Sequence, residues 1–295
     1  MDKNTIIGFV LIAVVLIGFS WYSQPSAEQL EAQRKEDSIA AVIKENAAKK
    51  QQAEAEAKKQ QAEAAAKGDS TATFFSALNG ENRQVVLKNG KVELTIDTKG
   101  GTISKALIKG FEDKDNKMDV TLFDAETQKM NFMLAGKSEN IITQDLYFTP
   151  SNQSDSTVTM TAQAGNGGSL VLAYSLGKDY MLHFSLRANG LQGIFAPNYQ
   201  EMDIEWTDLA RQQEKGFTFE NRYTSVTYKE KLGGTDYLSE TSEKVDEKID
   251  ETLDWVAFKN QFFSAALISK DDFRGGSLLT SIPQQKGSGY LKQFN

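Results

Sequence analysis

The sequence predicts an all-β body carried behind one membrane-spanning helix and a charged helical spacer, and three observations make that prediction. Residues 6–22 read IIGFVLIAVVLIGFSWY with no charged side chain. Residues 28–67 are dominated by Ala, Glu, Lys and Gln and contain neither proline nor glycine. Beyond residue 71 the chain breaks into short runs of alternating polarity separated by Gly, Asn, Asp and Ser, the pattern of half-buried antiparallel strands. The segments that follow are a cytoplasmic N-terminus at 1–5, an anchor at 6–22, a stalk at 23–70 and a β-domain at 71–295.

The apolar run spans ~26 Å as a helix, which is the thickness of a thin hydrocarbon core. A cleaved signal peptide would have a shorter apolar region followed by small residues at a cleavage site. Here Trp21 and Tyr22 follow the run, and amphipathic rings suit the headgroup layer. Lys3 and the terminal amine precede the span, whereas the first charges after it are Glu28 and Glu31, so the positive-inside tendency places the N-terminus in the cytoplasm and the rest outside.

The stalk is built from strong helix formers. Its large apolar residues are confined to Leu30, Ile39, Val42 and Ile43, too few to sustain a heptad seam, so a stable coiled coil is not expected. Residues 28–67 carry eight acidic and eight basic side chains, and pairs such as Glu45 with Lys49 and Glu54 with Lys58 stand at helical i, i+4 spacing. The reading is a solvated, partly helical spacer, ended by Gly68.

In the β-domain, residues 83–88 and 91–97 flank Asn89-Gly90, a pair suited to positive φ in a tight hairpin turn. Val92, Leu94 and Ile96 share one face of the second strand, and Lys91, Glu93 and Thr95 the other. Gly100-Gly101 turns the chain into a strand at 102–108. Further strands are predicted at 119–123, 157–162, 170–176 and 181–186, joined by glycine-rich turns at 165–168 and 177–179. Many short strands at this spacing mean a sandwich or a barrel.

Composition excludes several chemistries. With 40 Asp plus Glu against 33 Lys plus Arg, no broad electropositive face for nucleic acid is expected. The absence of cysteine removes disulfides, thiolate metal sites and cysteine nucleophiles. A single histidine, His183, makes a histidine triad or an ordinary zinc site hard to assemble, and a partnered or exposed imidazole is the expected role. Glu201, Asp203, Glu205 and Asp208 invite a general acid/base reading, but alternation puts Asp203 and Glu205 on one face opposite Ile204 and Trp206, so a solvated sheet face accounts for them. The apolar run WVAFKNQFFSAALI at 255–268 predicts two core strands around a tight turn near 259–261.

The apolar N-terminus MDKNTIIGFVLIAVVLIGFSW, the Ala/Glu/Lys stalk, VELTIDTKGGTISKALI at 92–108 and DWVAFKNQFFSAALI together resemble the YidC membrane-protein insertase family, in the form found in Gram-negative bacteria. The resemblance implies an inner-membrane protein with one helix followed by a periplasmic β-supersandwich of the galactose-mutarotase kind. It implies a bilayer, nascent membrane proteins and Sec translocon components as partners. Members of the family insert and fold membrane proteins, alone or with the Sec translocon, through a later five-helix bundle with a polar groove. No such bundle stands in this sequence, so the resemblance supplies no catalytic, cofactor-binding or metal residue, and the β-domain is expected to lack its closing strands. Two other classes stay open on the residues: a membrane-tethered periplasmic adaptor, and a carbohydrate-binding or sugar-processing β-domain, the last disfavoured by the lone histidine.

Overall fold

The computed structural model describes residues 73–196, 201–241 and 244–295. The expected anchor and stalk lie outside the described residues. Within them the chain forms strands numbered β1 to β18 in chain order, one helix, α1 (Phe217–Arg222), and two 3-10 turns. Among the described residues no helix is long and apolar enough to cross a membrane.

The strands assemble into four antiparallel sheets. β1 (Gln84–Lys88), β2 (Val92–Asp97), β3 (Ile103–Glu112) and β4 (Met118–Phe123) pair in chain order. They face a second sheet of β7 (Thr149–Ser151), β8 (Thr157–Gln163), β9 (Ser169–Leu176) and β10 (Leu182–Asn189), ordered β10-β9-β8-β7. A six-stranded sheet runs β14-β17-β18-β11-β5-β6, from β5 (Gln128–Ala135), β6 (Asn140–Ile142), β11 (Met202–Arg211), β14 (Val245–Ile249), β17 (Ser277–Pro283) and β18 (Tyr290–Phe294). The fourth sheet, β13-β12-β15-β16, comprises β12 (Ser225–Glu230), β13 (Thr235–Tyr237), β15 (Leu253–Lys259) and β16 (Ser264–Phe273).

Alternation explains the cores. The inward residues of β1, β2, β8 and β9, among them Leu87, Ile96, Met160 and Leu172, are fully or almost fully buried in one large apolar cluster. A second cluster, with Val226, Leu253, Phe258 and Phe294, fills the space between the six-stranded sheet and the β12–β15 sheet. Trp206 on β11 lies against Phe258 with ring centroids 4.0 Å apart, so an aromatic stack locks these two sheets together.

The predicted strands are all present, most of them longer by a residue or more than the pattern indicated. Gly100 and Gly101 both take positive φ, 80° and 63°. The turn at Asn89-Gly90 differs from expectation, because neither residue has positive φ. The Asn89 side chain builds the turn instead: its Oδ1 accepts from the backbone N–H groups of Lys91 (2.7 Å) and Val92 (2.9 Å). Its Nδ2 donates to the carbonyls of Gly177 and Asp179, 2.8 and 2.7 Å away, which ties this turn to the one between β9 and β10. Thr95, assigned to the outer face of β2, is buried as well. The 255–268 run does form two strands around a turn, but its burial is divided. Ala257 and Phe258 are in the interior, whereas Phe262 at the turn and Ile268 on the edge strand β16 are 63% and 53% exposed.

Candidate functional site

Strand β18 reads Tyr290-Leu291-Lys292-Gln293-Phe294, and the period of two puts Lys292 on the face of Phe294. Phe294 stacks on Phe258 at 5.1 Å, so Lys292 is carried inward beside the second core and is only 1% exposed. Its Nζ donates to two backbone carbonyls, Thr224 O at 2.6 Å and Glu240 O at 2.7 Å. Among the described residues no carboxylate lies within ion-pair distance of it; the Glu240 carboxylate is turned instead to Lys259, 3.2 Å away. Burial pulls the Lys292 ammonium below the ordinary lysine range, the Glu240 charge opposes that, and the Lys259 charge adds to it.

Lys292 forms the floor of an open cleft of ≈ 410 Å³ lined also by Thr218, Asn221, Arg222, Glu240 and Pro283. Arg222 is exposed at the end of α1, and Asn221 Oδ1 is buried with no hydrogen-bond partner among the described residues. Among the described residues the ionisable groups that line the cleft are Lys292, Arg222 and Glu240, two cations and one anion, on a chain whose net charge is -7.

Glu220 holds α1 in place below this cleft. It is 1% exposed, and its carboxylate accepts from the backbone N–H groups of Gln213 (3.0 Å) and Glu214 (2.9 Å) and from Asn260 Nδ2 (3.2 Å). Burial pushes this carboxyl up, and the two backbone donors pull it back. Thr224 Oγ1 donates to the carbonyl of Glu220 at 2.9 Å, closing the helix just before the residue whose own carbonyl receives Lys292.

The carboxylates singled out in the sequence do not converge. Glu201 and Asp203 are exposed, Glu205 is half-buried, and Glu201 pairs with Arg274. Asp208 lies on the other face, where i+2 alternation from Ile204 and Trp206 puts it, and it is buried. Arg211 stands near it and forms an ion pair with Asp124. Asp208 Oδ1 and Arg211 Nε have no hydrogen-bond partner among the described residues. Burial pushes the Asp208 carboxyl up to about 7, with Arg211 opposing and Asp124 reinforcing the shift. His183 is exposed on β10, an edge strand of a different sheet, opposite Ser175. Among the described residues no group of three or more His, Asp and Glu side chains gathers in a way that would hold a metal ion.

Sequence reasoning missed the cleft. A lysine flanked by Leu291 and in register with Phe294 is a readable signal of an inward cation, but Asn221 and Arg222 belong to a helix of six residues that has no readable periodicity.

These features define an all-β body with two packed sheet pairs, dispersed outer carboxylates and one cationic cleft beside a short helix. The chain belongs to the YidC periplasmic domain family, whose model matches residues 84–292. It is 47% identical over 296 residues to the membrane protein insertase YidC of Phocaeicola vulgatus, covering 100% of this chain and 47% of that protein. It is 41% identical to the protein of the same description in Bacteroides fragilis (100% of this chain, 47% of that protein) and 36% identical to that in Porphyromonas gingivalis (99% and 47%). The chain thus spans about half the length of the curated relatives it matches. Among solved structures it is similar to a galactose mutarotase-like protein from Lactobacillus casei at 14% identity, covering 72% of this chain and 87% of that one with a TM-score of 0.44. A galactose mutarotase related enzyme from Lactobacillus acidophilus matches at 12% identity, 72% and 84% coverage and a TM-score of 0.40. Likeness at this level transfers no chemistry.

Proposed function

We propose that this chain is the anchor and periplasmic docking domain of a membrane-protein insertase. In this reading residues 6–22 cross the inner membrane once with the N-terminus in the cytoplasm, residues 23–70 form the stalk, and residues 71–295 stand in the periplasm as a non-enzymatic body that meets nascent membrane proteins and components of the Sec translocon. The observation that carries the reading is whole-chain identity of 47% to a relative described as a membrane protein insertase, together with the periplasmic-domain family match at 84–292. The uncharged run IIGFVLIAVVLIGFSWY and its flanking charges support the topology.

Reporter fusions test this placement. Alkaline phosphatase joined after residue 70 or at residue 295 is expected to be active, and joined at residue 5 inactive; the reverse pattern would overturn the topology. Affinity purification of the tagged protein from gently solubilised membranes is expected to bring down translocon components, and their loss on deletion of residues 71–295 would support docking by the body. Undiminished recovery after that deletion would count against it.

A further inference from the structure

We propose that the open edge of strand β16 takes up an uncharged, apolar polypeptide segment in extended form as an added β-strand, an inference that stands on the sheet edge alone and does not require the insertase reading. β16 (Ser264–Phe273) ends the order β13-β12-β15-β16, so among the described residues it pairs along one side only. A strand so placed presents a row of backbone N–H and C=O groups, and the ligand that answers such a row at strand spacing is another extended backbone. Neither a lipid nor a sugar repeats donors and acceptors in that pattern.

The other sheet edges carry features that blunt such pairing. β6, β7 and β13 are 3 residues long each, and β7 contains Pro150. β14 carries Asp246, Glu247 and Lys248 in succession, β1 ends in Lys88, and β10 bears Arg187. β4 has Asp119 at φ 70° and shifts register against β3. Residues 264–269 of β16 read SAALIS, with no charge, no proline and a register on β15 that runs unbroken from Ser264 to Ile268. Native sheets break or charge an edge of this kind where nothing pairs with it.

The side chains favour an apolar occupant. Ala266 and Ile268 are exposed on one face, and Ala265 and Leu267 are half-buried on the other, so a strand laid alongside would cover apolar surface on both faces. The two alanines leave room on each face for larger side chains of the incoming strand. Charge separates a foreign segment from a second copy: two chains of net charge -7 repel each other, whereas an uncharged segment meets no such opposition.

The test uses the full chain in a neutral maltoside detergent and a fluorescein-labelled octapeptide, Lys-Thr-Val-Thr-Val-Thr-Val-Lys, whose terminal lysines serve only solubility. The control has the same side chains and charges with N-methyl groups on two adjacent central residues, which stop a ladder along either edge of the peptide. Fluorescence anisotropy is expected to show at least tenfold tighter binding of the unmethylated peptide. Hydrogen exchange read by mass spectrometry is expected to slow within residues 264–269 when that peptide is bound, and to stay unchanged in β10. Of two neighbouring strand residues one directs its N–H outward, so Ala266→Pro and Leu267→Pro are compared, and the one that keeps the parent's unfolding midpoint is expected to weaken binding at least tenfold. Should neither keep the fold, the methylated control and the exchange pattern decide. Equal binding of the two peptides, protection at another edge instead, or unchanged binding by a folded proline variant would overturn the proposal. Protection of 264–269 that grows with protein concentration in the absence of peptide would do so as well, since it would make a second copy the partner.

Discussion

Asn260 Nδ2 donates to Glu220 Oε1 at 3.2 Å, and this bond joins the only helix among the described residues to the turn between β15 and β16. Asn260 shapes that turn through its Oδ1, which accepts from the backbone N–H groups of Phe262 (3.1 Å) and Phe263 (2.8 Å). Glu220 in turn gathers the backbone of Gln213 and Glu214. Two segments without regular structure are thereby fixed by one buried carboxylate. Glu220→Ala leaves three donors without an acceptor and is expected to destabilise the chain by about 3 kcal/mol or more in urea unfolding. A loss below about 1 kcal/mol would show that these donors find other partners.

Asp208 gives stability a pH dependence of known sign. Its folded-state value of about 7 lies above the usual carboxylate range, so the folded chain holds this proton at pH values where the unfolded chain has released it. Its protonated form stabilises the fold at low pH, and that contribution is lost as pH rises from about 4 to about 7. Replacing Asp208 with Asn should flatten this part of the stability profile, measured as the unfolding midpoint at half-unit pH steps. An identical slope in the variant would assign the proton to another group.

The two halves of the 255–268 run should differ widely in their sensitivity to truncation. Phe258 is 4% exposed and lies between Trp206 and Phe294, so Phe258→Ala is expected to cost about 3–5 kcal/mol. Phe262 is 63% exposed, and Phe262→Ala should stay within about 0.5 kcal/mol of the parent. Tryptophan fluorescence during denaturation reads both.

Glycine substitutions separate two turns that look alike in sequence. Gly101 has φ +63°, and an added Cβ would lie 2.7 Å from Leu172 Cδ1, so Gly101→Ala should destabilise by about 1–3 kcal/mol. At Gly90 φ is not positive and nothing lies within 4 Å of an added Cβ, so Gly90→Ala should be neutral to stabilising by about 0.4–1 kcal/mol. Asn89→Ala should cost more than Gly90→Ala, since Asn89 and not its neighbour makes the turn.

What was legible in the sequence follows period and punctuation. β1, β2, β8 and β9 carry strict alternation between polar turns and could be read directly. β12, β14, β17 and β18 could not, because their runs mix inward polar residues such as Ser225, Ser281 and Lys292 with the apolar ones, and only tertiary partners satisfy those groups. The Asn89-Gly90 pair reads as a backbone signal, whereas the fold uses the side chain of Asn89 as a clamp between two turns. The outer carboxylates of β11 were placed correctly by alternation, and the same rule carried two residues further would have turned Asp208 inward. The composition of the 255–268 run predicts fuller burial than the fold gives it, because edge position, which exposes Ile268, depends on strand order and not on local composition. The cleft depends on contacts between β18, α1 and the 240 loop, distant in sequence, and so had no local sign.

Complementation tests the functional account most directly. The full-length gene that carries this sequence, expressed in cells depleted of their own insertase, is expected to restore growth together with membrane insertion of a reporter protein scored by protease protection. Normal accumulation of the gene product at the inner membrane with no recovery of insertion would contradict the account.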